Sequence, residues 1–149
     1  MSESTFGQMS HLFDAELRYQ DAMPPVCEVA HGWHLVGSGT GRVEGSRLSG
    51  TLRWSNLEQV FDDYCRLNVR GTIETVDGAE IRFDSQGFAV PPSGSGDWKV
   101  ASAVRFSGTD TRYRWLEAGL AVWEGEFDAT TATAHYRAYI PTGPRSDEG

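Results

Sequence analysis

Polar and apolar side chains alternate with a period of two along most of this 149-residue chain. No other feature restricts the fold as much. Successive side chains of an extended strand point to opposite faces, so such alternation marks strands with one face in a core. Leu12–Gln20 sets Phe13, Ala15, Leu17 and Tyr19 against Asp14, Glu16, Arg18 and Gln20. Arg47–Trp54 sets Leu48, Leu52 and Trp54 against Arg47, Ser49, Thr51 and Arg53. Tyr64–Thr75 sets Cys65, Leu67, Val69 and Ile73 against Tyr64, Arg66, Asn68, Arg70 and Glu74. Glu80–Asp84, Lys99–Ser107, Gly119–Phe127 and Thr133–Ile140 continue the rhythm. Val76-Asp77-Gly78-Ala79 reads as a hairpin turn, because Asp-Gly supplies the positive φ that a tight turn needs. Asp128-Ala129-Thr130-Thr131 reads as another.

So many short strands predict an all-β domain, and the 17 glycines and close spacing favour a barrel or sandwich over a βαβ sheet. Closing the sheet also removes exposed edges. Two segments break the pattern. Ser55-Asn56-Leu57-Glu58 matches a capping box, and Leu57, Val60, Phe61 and Tyr64 fall at helical spacing, so a short helix competes there with a loop. Thr111–Gly119, with Tyr113, Trp115 and Leu116, suits a single helical turn ending at Gly119.

The length suits one domain, expected over residues 11–141 between flexible tails at 1–10 and 142–149. Pro91-Pro92-Ser93-Gly94-Ser95-Gly96 reads as a surface loop inside it. Thirteen Lys and Arg against 21 Asp and Glu leave a formal charge of −8, which argues against nucleic acid as a partner. No stretch is apolar enough to span a membrane and no signal peptide is evident, so the expected location is the cytoplasm. Cys27 and Cys65 lack the spacing of a zinc or redox motif and read as reduced thiols.

Candidate chemistry is sparse. Gly37-Ser38-Gly39-Thr40-Gly41 lacks the spacing of a nucleotide fingerprint and reads as a strand connection or bulge. Nothing local assembles His11, His31, His34 and His135 into a metal site, although His34 or His135 at a barrel mouth would suit acid–base work. No metal or other cofactor is expected. Asp62 and Asp63 adjoin Tyr64, and carboxylates this close, if buried, raise one pKa into a range useful for proton transfer. Adjacent acids in a surface loop are otherwise merely solvated. Arg66, Asn68 and Arg70 share one strand face, which meets solvent if the apolar face turns inward and an anionic ligand if it does not. The five tryptophans either line a pocket or fill a core.

Three blocks resemble the DUF3237 (UPF0311) family. They are Gly41-Arg42-Val43-Glu44-Gly45-Ser46-Arg47-Leu48-Ser49-Gly50-Thr51-Leu52, then Leu67 to Ile81 with its Thr-x-Asp-Gly-Ala turn, then Val104-Arg105-Phe106 with Thr111 to Leu116. Order and spacing agree over roughly residues 11 to 140. The resemblance implies an antiparallel lipocalin-like β-barrel and little about activity. Arg70, Asp77, Tyr113 and Trp115 stand where the family pattern has them, and the resemblance implies Trp54, Tyr113 and Trp115 as pocket residues. Where the family carries Gly-Gly-x-Asp-Trp, this chain has Trp54-Ser55-Asn56-Leu57, and Asn56 cannot replace an acid in proton transfer.

The main functional expectation is a cofactor-independent isomerase, cyclase or lyase acting on a small aromatic or cyclic metabolite. Asp62 or Asp63 would move protons with Tyr64 or Tyr113, and Arg70 or Arg66 would hold an enolate or carboxylate. Trp54, Asn56, Arg66, Tyr113 and Trp115 would contact the ligand. The alternatives are a non-catalytic carrier or sensor of an apolar ligand, and an interaction domain with a filled barrel. A homodimer is compatible with any of them. The three separate on one observation, which is whether the polar face of Tyr64–Glu74 points into an open cavity.

Overall fold

A computed structural model describes residues 8–20, 26–29, 32–92, 96–117 and 119–141, with backbone alone for 26–29 and 32–34. Nine strands run through them: β1 (Met9–Tyr19), β2 (Val26–Val29), β3 (Gly32–Glu44), β4 (Gly50–Val60), β5 (Cys65–Thr75), β6 (Glu80–Val90), β7 (Trp98–Ser107), β8 (Ala121–Asp128) and β9 (Thr133–Pro141). Consecutive strands pair antiparallel from β2 to β9, and β1 closes the sheet by pairing with both β9 and β3. The result is an eight-stranded closed barrel with β2 as an extra strand beside the first part of β3. A single long strand serves both neighbours because Val26–Val29 pair with Gly32–Leu35, whereas Asp14–Tyr19 pair with Gly39–Glu44.

The alternation decides the faces. Cys65, Leu67, Val69 and Ile73 are buried on β5, whereas Arg66 and Arg70 meet solvent. Water therefore takes the guanidiniums, whose desolvation inside the barrel would be costly. In β1 the register shifts between His11 and Phe13, and this bulge turns both Leu12 and Phe13 inward.

The Ser55–Glu58 segment corrects the helical expectation. It belongs to β4 and pairs with β3 on one side and β5 on the other, as in Leu57 with Val36 and Asn68. Two ladders satisfy both edges of the strand backbone, which one helical turn could not do beside the same neighbours. Leu57 and Val36 consequently sit exposed on the outer surface. The Gly37–Gly41 run also lies within β3, in unbroken register with β4, rather than forming a connection or bulge. A Cβ on Gly39 would sit 1.8 Å from the Arg18 carbonyl oxygen and 2.7 Å from the Trp54 ring, so only glycine lets β1 and β3 meet here.

The two ends of the barrel differ. At one end a 3-10 helix, Thr111–Leu116, folds across the opening, as the sequence suggested for that segment. It starts at Asp110, whose carboxylate accepts from the Arg112 N–H at 2.9 Å. Leu116, 1% exposed, plugs the bottom together with Phe13, Leu48 and Phe106. Tyr113 donates to Asp77 at 2.9 Å, and Asp77 in turn accepts from Thr75. Gly78 in that turn has φ +91°, the left-handed value expected of Asp-Gly. Above this plug Trp123 stacks on Tyr136, with centroids 5.1 Å apart. Beyond Tyr136 the side chains stop filling the interior.

Residues 1–7 of the expected tail at 1–10, the expected tail at 142–149, the centre of the Pro91–Gly96 loop and His31 lie outside the described residues, as do the side chains of Cys27 and His34. β1 already begins at Met9, inside the stretch expected to be a tail.

Candidate functional site

The unfilled end encloses a cavity of about 250 Å³. Tyr136 on β9 lies in its wall, backed by the buried Trp123. Leu17 and Tyr19 of β1, Leu67 and Val69 of β5, and Ala89 of β6 line its sides. Trp98, Phe127 and Ala129 lie at the strand ends next to the turns of this mouth. Among the described lining residues there is no Lys, Arg or His, and a single carboxylate, Glu58.

Strand β4 supplies the polar groups. Trp54, Asn56 and Glu58 are spaced two apart, so all three project to the inner face. Trp54 is anchored by its indole N–H, which donates to the Thr40 carbonyl at 3.0 Å. Its ring meets Tyr19 edge-on at 4.9 Å. The Asn56 amide donates to the Tyr19 hydroxyl at 2.8 Å and to Glu58 Oε1 at 2.9 Å. Both of its amide hydrogens are thereby used, while its Oδ1 is buried without a partner.

Burial pushes the Glu58 carboxyl up to about 7, against the pull of the Asn56 and Tyr19 hydrogen bonds, which favour the anion. Tyr19 is raised as well, first by burial and then by the Glu58 charge. Tyr136 is raised for the same reasons. Both phenols therefore stay protonated near neutral pH and act as donors. Cys65 is free and buried, and burial with the Glu58 charge lifts its thiol to about 11, far from a reactive thiolate. The arrangement holds one carboxyl able to take or give a proton at neutral pH, within a mostly apolar wall.

Of the residues singled out from the sequence, Trp54 and Asn56 line this cavity. Asp62 and Asp63 are exposed in the β4–β5 turn, where Tyr64 stacks on Phe61 at 4.9 Å. Arg66 and Arg70 lie on the outer face of β5. Tyr113 and Trp115 lie at the opposite, plugged end, where Arg47 covers the Trp115 ring at 3.6 Å. His135 is exposed on β9 and faces Glu16 at 3.1 Å, outside the barrel. The structure thus separates these residues among the mouth, the outer wall and the plug.

Glu58 escaped the sequence reading because Ser55–Glu58 looked like a helix start. Carrying the alternation of Leu52 and Trp54 two steps further would have found Asn56 and Glu58 on the same face. Tyr19 already stood on the inner face of its strand, but nothing local joins it to Asn56, 37 residues away.

A closed antiparallel barrel with an acid-bearing internal cavity defines the class of this protein. The chain belongs to the family described as "Protein of unknown function (DUF3237)", which matches residues 9–140. No curated protein matches it significantly. Solved structures share the fold. A protein with unknown function from Clostridium acetobutylicum ATCC 824 aligns with TM-score 0.79 at 16% identity, covering 89% of this chain and 97% of that one. A beta-barrel like protein from Acinetobacter baumannii AYE gives 0.75 at 20%, over 89% and 94%. A protein from Penicillium herquei described as an enzyme gives 0.66 at 21%, over 93% and 98%. At these identities the likeness shows the fold alone. No helix among the described residues is long and apolar enough to cross a membrane.

Proposed function

We propose that this barrel is a cofactor-independent enzyme that relocates a proton on a small cyclic metabolite, with Glu58 as the acid–base group. The observation that carries the reading is a lone carboxyl in a cavity wall, held by Asn56 and Tyr19 and titrating near neutrality. As carboxylate it takes a proton from the bound molecule; as carboxylic acid it returns that proton to another atom of the same molecule. The balance needs no co-reactant, so isomerisation is the simplest class. Ring closure or elimination uses the same first step. The Tyr136 hydroxyl supplies a donor to an oxygen that gains charge, Tyr19 steadies the Glu58 carboxylate, and the apolar wall excludes water. A protein of the same fold from Penicillium herquei is described as an enzyme, which supports a catalytic reading.

Asp62, Asp63, Arg66 and Arg70 have no part in this mechanism, since they face solvent. The polar face of Tyr64–Glu74 turns to solvent and the cavity lining is largely apolar, which favours a second reading, a carrier without chemistry; the enzyme reading rests on Glu58 instead.

Deuterium uptake from D2O by an enolisable ring ketone such as 2-tetralone, followed by NMR, decides between them. The wild-type protein is expected to speed exchange, with the rate rising as pH passes about 7 and Glu58 becomes the carboxylate. Glu58→Gln is expected to lose about 100-fold or more while melting as a folded protein. No acceleration by wild type across a set of such ketones, or an unchanged rate in the variant, refutes the enzyme reading.

A further inference from the structure

The cavity wall is one-sided in charge. Glu58 is its single carboxylate, and no Lys, Arg or His stands among its described lining residues. A carboxylate offers about four lone-pair directions. Asn56 takes one, donating to Oε1 at 2.9 Å, and Tyr19 is the second protein donor beside it. The Glu58 side chain lines the cavity and is partly exposed, so its remaining acceptor capacity lies within reach of what enters.

Aromatic rings share the wall with it: Tyr19, Trp54, Trp98, Phe127 and Tyr136. Tyr136 stacks one face on the buried Trp123, with the two planes 24° from parallel, which leaves its other face to the cavity. The Glu58 charge acts on the Tyr136 phenol, so carboxylate and ring share one space. A ring face carries negative potential and attracts a cation, more strongly where water is excluded. An anion meets the reverse, desolvated beside Glu58 with nothing to offset its charge. Size adds a limit. An apolar cavity of about 150 Å³ takes up benzene. This one, at about 250 Å³, has room for a second fused ring.

From these features we infer that the cavity takes a one- or two-ring compound carrying a basic nitrogen, bound as its cation against Glu58 and the surrounding rings, and that it rejects carboxylates. The inference rests on the proton-transfer reading only where it calls this ligand a substrate. A protonated ring imine suits that chemistry. When the Glu58 carboxylate takes a proton from the carbon next to the iminium, the C–H pair becomes a C=C bond and the C=N pair returns to nitrogen. Both partners end uncharged, the direction an apolar wall favours. Around Glu58, β1 contributes Tyr19, β5 Cys65 and β9 Tyr136, and β3 pairs with it through Leu35. The two phenols and the thiol are all raised and stay neutral between pH 5 and 8, so the pH dependence of cation binding belongs to Glu58.

Isothermal titration with 2-aminotetralin, 2-tetralol, 2-naphthol and 2-naphthoate tests the inference without turnover. At pH 8 the wild-type protein is expected to bind the amine, a cation at this pH, about tenfold or more tighter than 2-tetralol or 2-naphthol, which fill similar space without charge. 2-Naphthoate is expected to bind more weakly still. At pH 5.5 the preference for the amine over 2-tetralol is expected to shrink about tenfold, because the carboxylate is then a minor form. Glu58→Gln is expected to bring the amine and 2-tetralol to within about twofold of each other while 2-tetralol still binds. Equal affinity for amine and alcohol at pH 8, preference for 2-naphthoate, a preference unchanged at pH 5.5 or in Glu58→Gln, or no binding by wild type overturns it. Deuterium exchange into 2-tetralone succeeds or fails independently. A cation-selective binder that exchanges nothing defeats only the catalytic reading, and exchange without cation preference defeats only this inference.

Discussion

Glu58 ties function to stability through one proton. Its folded-state value of about 7 lies above the 4.5 of an ordinary glutamate, so the native state holds this proton more tightly than the unfolded chain. Between about pH 4.5 and 7 the native state binds more protons, and stability falls as pH rises through that window. A shift of this size corresponds to as much as about 3 kcal/mol. Urea unfolding at pH 5 and pH 8 checks it. Glu58→Gln should be the more stable protein at pH 8 by about 1–3 kcal/mol, with the advantage shrinking towards pH 5. A protein whose stability at pH 8 is unchanged by the substitution does not carry a buried carboxylate there. The same burial that weakens the native state above neutrality suits the group to act as base and acid in the proposed reaction.

The strands and the 3-10 helix divide this labour. β4 carries Trp54, Asn56 and Glu58 to the cavity, whereas the helix and the β5–β6 turn close the far end through Tyr113, Asp77 and Thr75. The hydrogen bonds from Thr75 and then Tyr113 hold the Asp77 carboxyl below its usual range, so this latch keeps its charge to low pH. Leu116 is the apolar part of the closure. Leu116→Ala should cost about 2–5 kcal/mol in urea unfolding yet leave 2-naphthol affinity within about twofold, because the plug lies on the other side of Trp123 and Tyr136 from the cavity. Lost binding in a variant that remains folded would show the two ends to be coupled. Tyr113 and Trp115 serve this closure, where the family resemblance had suggested pocket residues.

At the scale of the whole barrel, the bottom is packed with Phe13, Leu48, Ile73, Phe83 and Phe106, and the top is hollow. Closure at the seam of β1 and β3 brings Tyr19 to Asn56, and Gly39 permits the approach. The hollow is a choice of side-chain size rather than of backbone, for Ala89 and Ala134 stand on its wall where larger residues would fill it. Ala89→Phe should abolish 2-naphthol binding while the free energy of urea unfolding stays within about 1 kcal/mol of wild type, since added apolar burial offsets local crowding. A variant that still binds would place the ligand outside the barrel.

The local rhythm of the sequence was enough to read all or part of every strand but β2 and β3, the turn at Asp77-Gly78 and the helical turn at Thr111–Leu116. Each depends on sterics and hydrogen bonds among residues a few positions apart. Ser55–Glu58 was ambiguous by the same local rules, and the ladders to β3 and β5 settled it. The inward face of β5 and the companionship of Tyr19, Asn56 and Glu58 became definite only on closure of the sheet. Which end would stay hollow likewise depends on the summed volumes of side chains from eight strands, a quantity no short stretch of chain contains.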